Sequence, residues 1–354
     1  MDYLHGGDIY SVGVSNIVDF SSNINPFGVP ESFNANINEA LLLLTKYPDP
    51  HYRELKQGLS LYLKKYYEVN FLREDLLLGN GAVEVIDIII SFFKNVLIPV
   101  PSFSEYESSA RKNGAKVVYS SLKDDMSYDY EDIYKKIQFS DVLVIGNPNN
   151  PSGNVINKDK FRKILEFCEK NNKIIIIDEA FIEFTGNIEE SFIKDTEKYN
   201  CLVIIRALTK FFALPGIRFG YAVSKNIKFL EELRGIQLPW NINCFAEVAV
   251  KYVLKDEGYI NKSLIWIEEE KNYFPQQLRK INFIEKVFES NCNFLLCKLN
   301  GINGQQLFNY SLSKGLLIRR GNNFIGLDDS YIRLAIKDRI LNEEVIRIFE
   351  TYYR

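Results

Sequence analysis

Between about residues 75 and 225, short apolar runs alternate with amphipathic stretches, and this alternation constrains the fold more than any other feature. The runs NVLIPV, AKVVYSS, DVLVIGNP, KIIIIDEAF and CLVIIRA predict strands, and SEYESSARKNG, YEDIYKKIQ and KDKFRKILEFCEKNN predict helices between them. The run KIIIIDEAF shows no polar–apolar alternation, as expected of a strand that is covered on both faces. Strands that alternate with helices in this way form layered α/β domains with a mostly parallel sheet.

The pattern changes after about residue 245 and predicts a second, smaller domain. A long helical region extends to about residue 280, and the apolar runs NFLLCKL, GLLIRRG and YIRLAI follow it. We therefore expect a large domain at 46–245, a small α+β domain at 246–354, and an N-terminal arm at 1–45 that contributes part of the small domain. No Gly/Ser-rich linker separates these parts, so we expect them to be in close contact.

The composition excludes several classes of function. The chain has 354 residues, a net charge of −3 and no long basic run, so nucleic acid and anionic membranes are not expected as partners. No apolar run approaches the roughly 20 residues of a membrane span, and the first residues lack the pattern of a signal peptide. Five scattered cysteines without a CxxC pair indicate a reduced, cytoplasmic protein. Two distant histidines, His5 and His51, do not fit a histidine-based zinc site or a Ser-His-Asp triad, so no metal is expected.

Glycines and polar residues follow the ends of the predicted strands. In open α/β sheets, ligands bind beyond the carboxyl ends of the strands, so these residues are candidates for a site. The turn GNGAVEV, from Gly79, offers helix N–H groups to a phosphate, although a plain strand-to-helix turn explains it equally well. Phe103 in PSFSEYE is either an aromatic platform or a core side chain, and the loop GNPNNPSG places Asn150 before a proline.

Charged residues also stand within otherwise apolar segments. The run KIIIIDEAF ends in Asp178 and Glu179, and the segment RALTKFFALPGIRFGY holds Lys210 among apolar residues. Buried charges are costly unless they are paired or neutralised, and the plain alternative is that Lys210 extends to the surface. The joint placement of these groups with Asn150 and Arg218 at one sheet edge favours a cofactor. Pyridoxal 5'-phosphate (PLP) needs these parts, because a lysine binds it covalently, an acid partners its ring nitrogen, and donors hold its phosphate.

The motifs GNGA, NPNNPSG, DEAF and TKFFALPGIRFGY occur in this order, and the chain resembles fold-type-I PLP enzymes of the class I/II aminotransferase superfamily over nearly its whole length. This resemblance implies a three-layer α/β fold with a mostly parallel central sheet plus a smaller α+β domain. It implies catalytic roles for Lys210, as the cofactor lysine, and for Asp178, as the partner of the pyridine nitrogen. It implies further cofactor contacts from Gly81, Ala82, Val83, Phe103, Asn150, Thr209, Arg218 and, across a homodimer with shared sites, Tyr47.

Two branches of this superfamily compete: threonine-phosphate decarboxylases of cobalamin biosynthesis, and histidinol-phosphate aminotransferases, which use 2-oxoglutarate as amino acceptor. The segments LHGGDIY, DFSSNINP, LTKFFALPG and PWNIN resemble the decarboxylases, and Phe181 stands where the aminotransferases usually have a tyrosine. We therefore favour decarboxylation of a phosphorylated amino acid. The resemblance implies substrate contacts from His5, Asn25, Arg319, Arg320 and Arg333. For His5, an exposed terminal histidine is the plain alternative. A non-catalytic ligand-sensing domain is a third hypothesis, which the presence of Lys210 disfavours.

Overall fold

The computed structural model of the protein describes residues 5–13 and 16–352. The strands in these residues are β1 (Val18–Asp19), β2 (Leu76–Gly79), β3 (Asn95–Val100), β4 (Lys116–Ser121), β5 (Val142–Gly146), β6 (Ile174–Asp178), β7 (Leu202–Ala207), β8 (Gly220–Val223), β9 (Ile284–Val287), β10 (Phe294–Leu299), β11 (Leu316–Leu317), β12 (Arg319–Arg320) and β13 (Tyr331–Ala335). The helices are α1 (Glu31–Asn34), α2 (Ile37–Leu43), α3 (Arg53–Tyr67), α4 (Ala82–Ile90), α5 (Ser104–Lys112), α6 (Tyr130–Ile137), α7 (Lys158–Lys170), α8 (Ile227–Ile236), α9 (Cys244–Val253), α10 (Glu257–Leu278), α11 (Gly304–Ser313) and α12 (Arg339–Glu350).

The large sheet has seven strands in the order β2-β8-β7-β6-β5-β3-β4. The neighbours of β8 pair with it in the antiparallel sense, and the other pairs are parallel. Every residue of β5, β6 and β7 is buried, as the unalternating apolar runs predict. The mostly parallel α/β sheet expected from the sequence is therefore confirmed.

The second sheet has four antiparallel strands in the order β12-β13-β10-β9. The run GLLIRRG, which the sequence predicts as one strand, is divided between two sheets. Its first part, β11, pairs in parallel with β1 near the N-terminus, whereas its second part, β12, pairs with β13. The N-terminal segment is thereby held against the C-terminal part of the chain.

Short polar side chains begin most of the longer helices. An Asn or Asp side chain accepts a backbone N–H of the first turn at Asp129, Asn157, Asn226, Asn243, Asp256, Asn303 and Asp338. Each such cap satisfies a donor that the helix itself leaves unpaired and contributes about 1 kcal/mol. Helix α4 begins differently, with Gly81 at its cap position and no side-chain cap.

One apolar core extends through both sheets. It includes Ile175 and Ile177 of the large sheet, Leu295 and Leu334 of the small sheet, and Phe20 of the N-terminal segment. The two sheets are therefore packed against each other with apolar contacts, in agreement with the missing linker. Among the described residues, no helix is both long and apolar enough to cross a membrane.

Candidate active site

Strands β6 and β7 bring Asp178 and Lys210 to the same edge of the large sheet. Asp178 ends β6 and pairs with Ile205 of β7, and Lys210 lies three residues beyond the end of β7. Neighbouring parallel strands end at the same edge, so this juxtaposition follows directly from the register.

Asp178 is a buried carboxylate that receives hydrogen bonds from a side chain and from the backbone. Its Oδ2 atom accepts from the hydroxyl of Tyr106 at 2.7 Å, and its Oδ1 atom accepts from the Ala180 N–H at 2.9 Å. Burial raises the pKa of Asp178, and the Tyr106 hydrogen bond opposes that rise. No cation forms an ion pair with Asp178 in the part of the chain that the structure describes, so a cationic ligand group would stabilise its charge.

Tyr106 is a site residue that the sequence analysis missed. It lies in the first turn of α5, three residues after Phe103, and its ring meets that of Phe103 edge-on at 5.6 Å. Burial, followed by the charge of Asp178, raises the pKa of Tyr106 well above its usual range, so its hydroxyl remains a donor. The available signal was its position: a tyrosine in the first turn of a helix that begins at a strand end points back to that edge.

The turn before α4 forms an anion cradle. Gly81 has a φ of 87°, which favours glycine, and a Cβ atom at this position would lie 2.4 Å from Nη2 of Arg218. The missing side chain lets the Arg218 guanidinium lie against Gly81, the residue that precedes the first turn of α4. Helix N–H groups and an adjacent arginine together suit a phosphate.

The amine of Lys210 lies within this edge without a protein partner. No hydrogen bond or ion pair of Nζ occurs within residues 5–13 and 16–352, and Nζ lies 5.8 Å from the ring centroid of Phe181. Burial, followed by repulsion from Arg333, lowers the pKa of Lys210 to about 8. Its half-buried neighbour Thr209 precedes it in the same loop. Lys210 is therefore poised to be a neutral amine at moderately alkaline pH.

Arg333 of β13 connects the small sheet to this edge. Its Nη1 atom donates to Oδ1 of Asn150 at 2.5 Å, and its Nη2 atom donates to the Ser21 carbonyl at 2.5 Å. Its Nε atom is buried without a hydrogen-bond partner in the described structure, which costs about 1–3 kcal/mol. Burial, together with the charge of Arg319, lowers the pKa of Arg333 to about 9. An anion at this point would satisfy both the charge and the Nε donor.

Arg319 and Arg320 have different neighbours in the small sheet. Arg319 lies directly across from Arg333, and both guanidinium groups lie near the ring of Phe324, at 5.2 and 6.0 Å respectively. Burial lowers the pKa of Arg319 to about 10. Arg320 instead forms an ion pair with Asp329 at 2.9 Å. Arg319 is therefore the member of the pair that accompanies Arg333.

The N-terminal arm folds over Arg333. A Cβ atom on Gly6 would lie 2.0 Å from the Ser21 carbonyl oxygen and 3.2 Å from Nη2 of Arg333, so only glycine fits there. The Gly7 N–H donates to Oγ of Ser21 at 2.8 Å, and Nε2 of His5 lies 3.1 Å from Oε1 of Glu105. A cavity of about 190 Å³ opens beside this arm and is lined by His5, Asp8, Ser21, Phe308, Leu317, Ile318, Arg319, Arg320, Asn322 and Asn323.

The amino-acid pattern of residues 15–349 matches the family described as aminotransferase class I and II. The chain belongs to this family. The family is PLP-dependent, so this chain is a PLP-dependent enzyme.

Relatives of this aminotransferase-family enzyme carry two different names. A solved structure of a histidinol-phosphate aminotransferase from Clostridium acetobutylicum is 49% identical, with a TM-score of 0.90 over 94% of this chain and 97% of that one. A protein of Caldanaerobacter subterraneus subsp. tengcongensis, provisionally named a threonine-phosphate decarboxylase, is 36% identical over 99% of this chain and 94% of its own length. A histidinol-phosphate aminotransferase of the same bacterium is 30% identical over 92% of this chain and 90% of its own. The enzyme is therefore similar to both branches.

The residues at the sheet edge of this aminotransferase-family enzyme fit PLP. A protonated ring nitrogen would supply the cation that Asp178 lacks, and the Gly81–Arg218 cradle suits the phosphate group. The pKa of Lys210, lowered to about 8 by burial, suits a lysine that would hold the cofactor covalently. When it is bound, PLP withdraws electrons from a bond at the α-carbon of an attached amine.

Two of the expected residues have surroundings that differ from those of the other site residues. The Asn25 side chain was expected at the substrate, but its Nδ2 donates to Phe211 O and Ser263 Oγ, at 2.9 and 2.8 Å. Both amide protons are thus used within the protein, so Asn25 supports the lysine loop.

Tyr47 is 82% exposed, and its ring centroid lies 4.9 Å from that of Trp240. Tyr47 is thus available to another molecule.

Proposed function

We propose that Lys210 binds PLP covalently and that Asp178 holds the proton on its ring nitrogen. Phe103 is proposed to stack on the ring, and Asn150 to donate to the ring 3-oxygen while its Oδ1 atom accepts from Arg333. The phosphate group is assigned to the backbone at Gly81, Ala82 and Val83 and to the side chains of Thr209 and Arg218. The supporting observations are the shared strand edge, the uncompensated Asp178 and the lowered pKa of Lys210.

The proposed working unit is a homodimer in which Tyr47 completes the phosphate site of the second copy. Large apolar side chains around Tyr47 are exposed in the single chain, namely Leu41, Leu42, Leu44, Leu238 and Trp240. Burying such side chains on association is favourable, and a two-fold dimer would place two copies of this surface face to face. We also propose a cytoplasmic location, because the five cysteines are free and buried.

The proposed reaction is decarboxylation of L-threonine O-3-phosphate, with release of carbon dioxide and proton uptake at the α-carbon to give aminopropanol phosphate. The observation that carries this proposal is the arm that lies over Arg333. It places His5 in the same cavity as Arg319, so that basic groups line a space next to the carboxylate-binding guanidinium. A phosphate dianion beside a carboxylate matches this distribution of charge.

Within this arrangement, orientation decides which bond at the α-carbon breaks. The fork of Arg333 is proposed to hold the substrate carboxylate through Nε and a terminal nitrogen. Arg319 and His5 are proposed to hold the phosphate, so the two ends of the substrate are fixed at once. Fixing both ends sets the angle between the carboxylate bond and the cofactor ring, which is the geometric requirement for decarboxylation.

The second candidate is histidinol-phosphate aminotransferase, which the 49% identity to the solved Clostridium acetobutylicum structure favours. The arginine pair fits this reaction as well, because glutamate carries two carboxylates. Phe181 opposes it, since its ring has no hydroxyl to donate to the cofactor.

The two reactions are separated by measuring kcat/KM on the purified PLP-loaded enzyme. One arm supplies L-threonine O-3-phosphate and follows carbon dioxide. The other supplies L-histidinol phosphate with 2-oxoglutarate and follows glutamate, and the Lys210→Ala variant gives the background in both arms. We expect kcat/KM for carbon dioxide release to be larger by orders of magnitude. Glutamate formation as the faster reaction would replace the decarboxylase proposal with the aminotransferase.

A further inference from the structure

A short segment of the N-terminal region, residues 21–24, is held by side chains rather than by a strand partner. Each carbonyl oxygen in it accepts from a side chain: Ser21 from Arg333, Ser22 and Ile24 from Lys337, and Asn23 from Asn293. Lys337 makes two of these bonds, at 3.3 and 3.2 Å. We call this segment the carbonyl strap.

Lys337 is itself firmly anchored. Its backbone N–H donates to Oδ1 of Asn342 at 2.9 Å. Its carbonyl accepts from Nε1 of Trp266 and from Nδ2 of Asn342, both at 2.8 Å. The start of the Lys337 side chain is therefore fixed, so its amine reaches the strap from a rigid base.

The carbonyl strap leads directly to the cofactor lysine. Asn25, the next residue, donates its backbone N–H to the carbonyl of Lys210 at 3.1 Å. Its side chain donates to the carbonyl of Phe211 at 2.9 Å. Lys337 is thus connected to the backbone of Lys210 through Ile24 and Asn25.

The charge of Lys337 also acts on Lys210. Its amine binds carbonyl oxygens and forms no ion pair within the described residues. The charged groups around Lys210 are Arg333, Arg218 and Lys337, which lower its pKa, and the carboxylates of Asp19 and Asp178, of which Asp19 raises it. Lys337 is therefore one of three cations that favour a neutral Lys210.

We propose that Lys337 is a positioning residue for Lys210, which holds the Lys210 backbone through the carbonyl strap and keeps a positive charge beside its amine. The proposal rests on the proposed attachment of PLP to Lys210. Neither role requires Lys337 to touch substrate or cofactor. Removing the charge removes a repulsion, so protons should bind more tightly to the nitrogen of Lys210.

The test uses the visible absorption of the PLP-loaded enzyme as a function of pH, because the colour of bound PLP follows the proton on the Lys210 nitrogen. Lys337→Met removes both the charge and the two hydrogen bonds. Lys337→Gln removes the charge and keeps a donor. The matched control is Lys271→Met, since Nζ of Lys271 also binds two backbone carbonyls, at 3.4 and 3.3 Å, but is not among the charges acting on Lys210.

We expect the midpoint of the titration to move to higher pH in both Lys337 variants and to stay in place in Lys271→Met. We also expect PLP to dissociate faster from Lys337→Met than from Lys337→Gln, because only the former loses the strap bonds. An unchanged midpoint in Lys337→Gln, or an equal shift in Lys271→Met, overturns the proposal. Borohydride reduction of the wild-type enzyme distinguishes a failure of the Lys337 proposal from a failure of the cofactor assignment. If PLP does not become attached to Lys210, the cofactor assignment itself is rejected.

Discussion

The two halves of the candidate site are built in different ways. The cofactor half comes from the ends of neighbouring strands in one sheet, between Gly79 and Arg218. The substrate half comes from the start of the N-terminal arm and from strands β12 and β13, and the carbonyl strap contacts both halves. For example, the hydrogen bond from Arg333 to Ser21 joins residues that are 312 positions apart in the sequence. Local motifs therefore specify the cofactor half, and long-range packing specifies the substrate half.

This difference predicts how variants should behave. Changes in the cofactor half should abolish the chemistry shared by the family. Changes in the substrate half should alter which substrate reacts and how tightly it binds, while PLP stays bound. Single-residue variants test that division, and the largest effect is expected at Lys210.

Lys210→Ala should lose activity entirely, because it removes the amine that is proposed to bind PLP covalently at this edge. Borohydride should fix the cofactor on Lys210 of the wild-type protein, as shown by mass spectrometry of the labelled peptide. Lys271→Met should keep both the label and the activity. An active Lys210→Ala variant would exclude this lysine as the cofactor residue.

Asp178→Asn should lower turnover by orders of magnitude while PLP remains bound, since an amide cannot hold the proton on the ring nitrogen. Tyr106→Phe should cause a smaller loss, because it removes only the hydrogen bond to Oδ2 of Asp178. Steady-state kinetics with a parallel measurement of bound PLP checks both. Loss of cofactor affinity without a specific loss of turnover would point to a purely structural role for Asp178.

Arg333→Lys should lower kcat/KM, because lysine cannot reproduce the guanidinium fork. The loss should correspond to about 2–5 kcal/mol of transition-state stabilisation. PLP absorbance should be preserved, since Arg333 belongs to the substrate half. The comparison variant is Arg347→Lys, whose ion pair with Glu344 lies at the surface of α12. Equal losses in the two variants would contradict the assignment of Arg333.

His5→Ala should weaken the binding of threonine phosphate by about 1–3 kcal/mol, because one charge-assisted hydrogen bond is lost. The loss should be seen as a higher KM with little change in kcat. The exposed His51, the second of two histidines, gives the matched control, and His51→Ala should leave KM unchanged. A KM indifferent to His5 would remove the arm from the phosphate site.

The smallest predicted effect concerns pH. The pKa of Lys210 is lowered to about 8, so its neutral amine is dominant above that pH and falls about tenfold per unit below it. The rate at which cofactor-free protein takes up PLP should follow this curve and level off above about pH 8. A rate that keeps rising to pH 10 would indicate an ordinary exposed lysine.

The sequence predicted that Asp178 and Lys210 share one edge of the sheet, for a physical reason. The apolar run of β6 demands burial on both faces, and strand ends in parallel sheets meet at one edge, so Asp178 and Lys210 had to lie close together. Tyr106 was missed because its role depends on the direction of a helical side chain. Asn25 was assigned to the substrate, whereas its amide protons are used by Phe211 and Ser263, which no local pattern reveals.

The substrate half was predicted as a set of residue types rather than as an arrangement. The sequence could not distinguish Arg319 from Arg320, because the choice depends on which residue faces Arg333 across the strands. It also predicted one strand where β11 and β12 join different sheets. The role of Lys337 was invisible, since it rests on carbonyl oxygens that carry no sequence signal.

The substrate half is proposed to orient the substrate so that its carboxylate is removed. The most direct test is L-threonine O-3-phosphate labelled with ¹³C in its carboxyl group, supplied to the PLP-loaded enzyme together with 2-oxoglutarate and followed by NMR. We expect the label to leave as carbon dioxide or bicarbonate, while unlabelled aminopropanol phosphate accumulates and 2-oxoglutarate is not consumed. Retention of the label in a keto acid, with stoichiometric formation of glutamate, would contradict it.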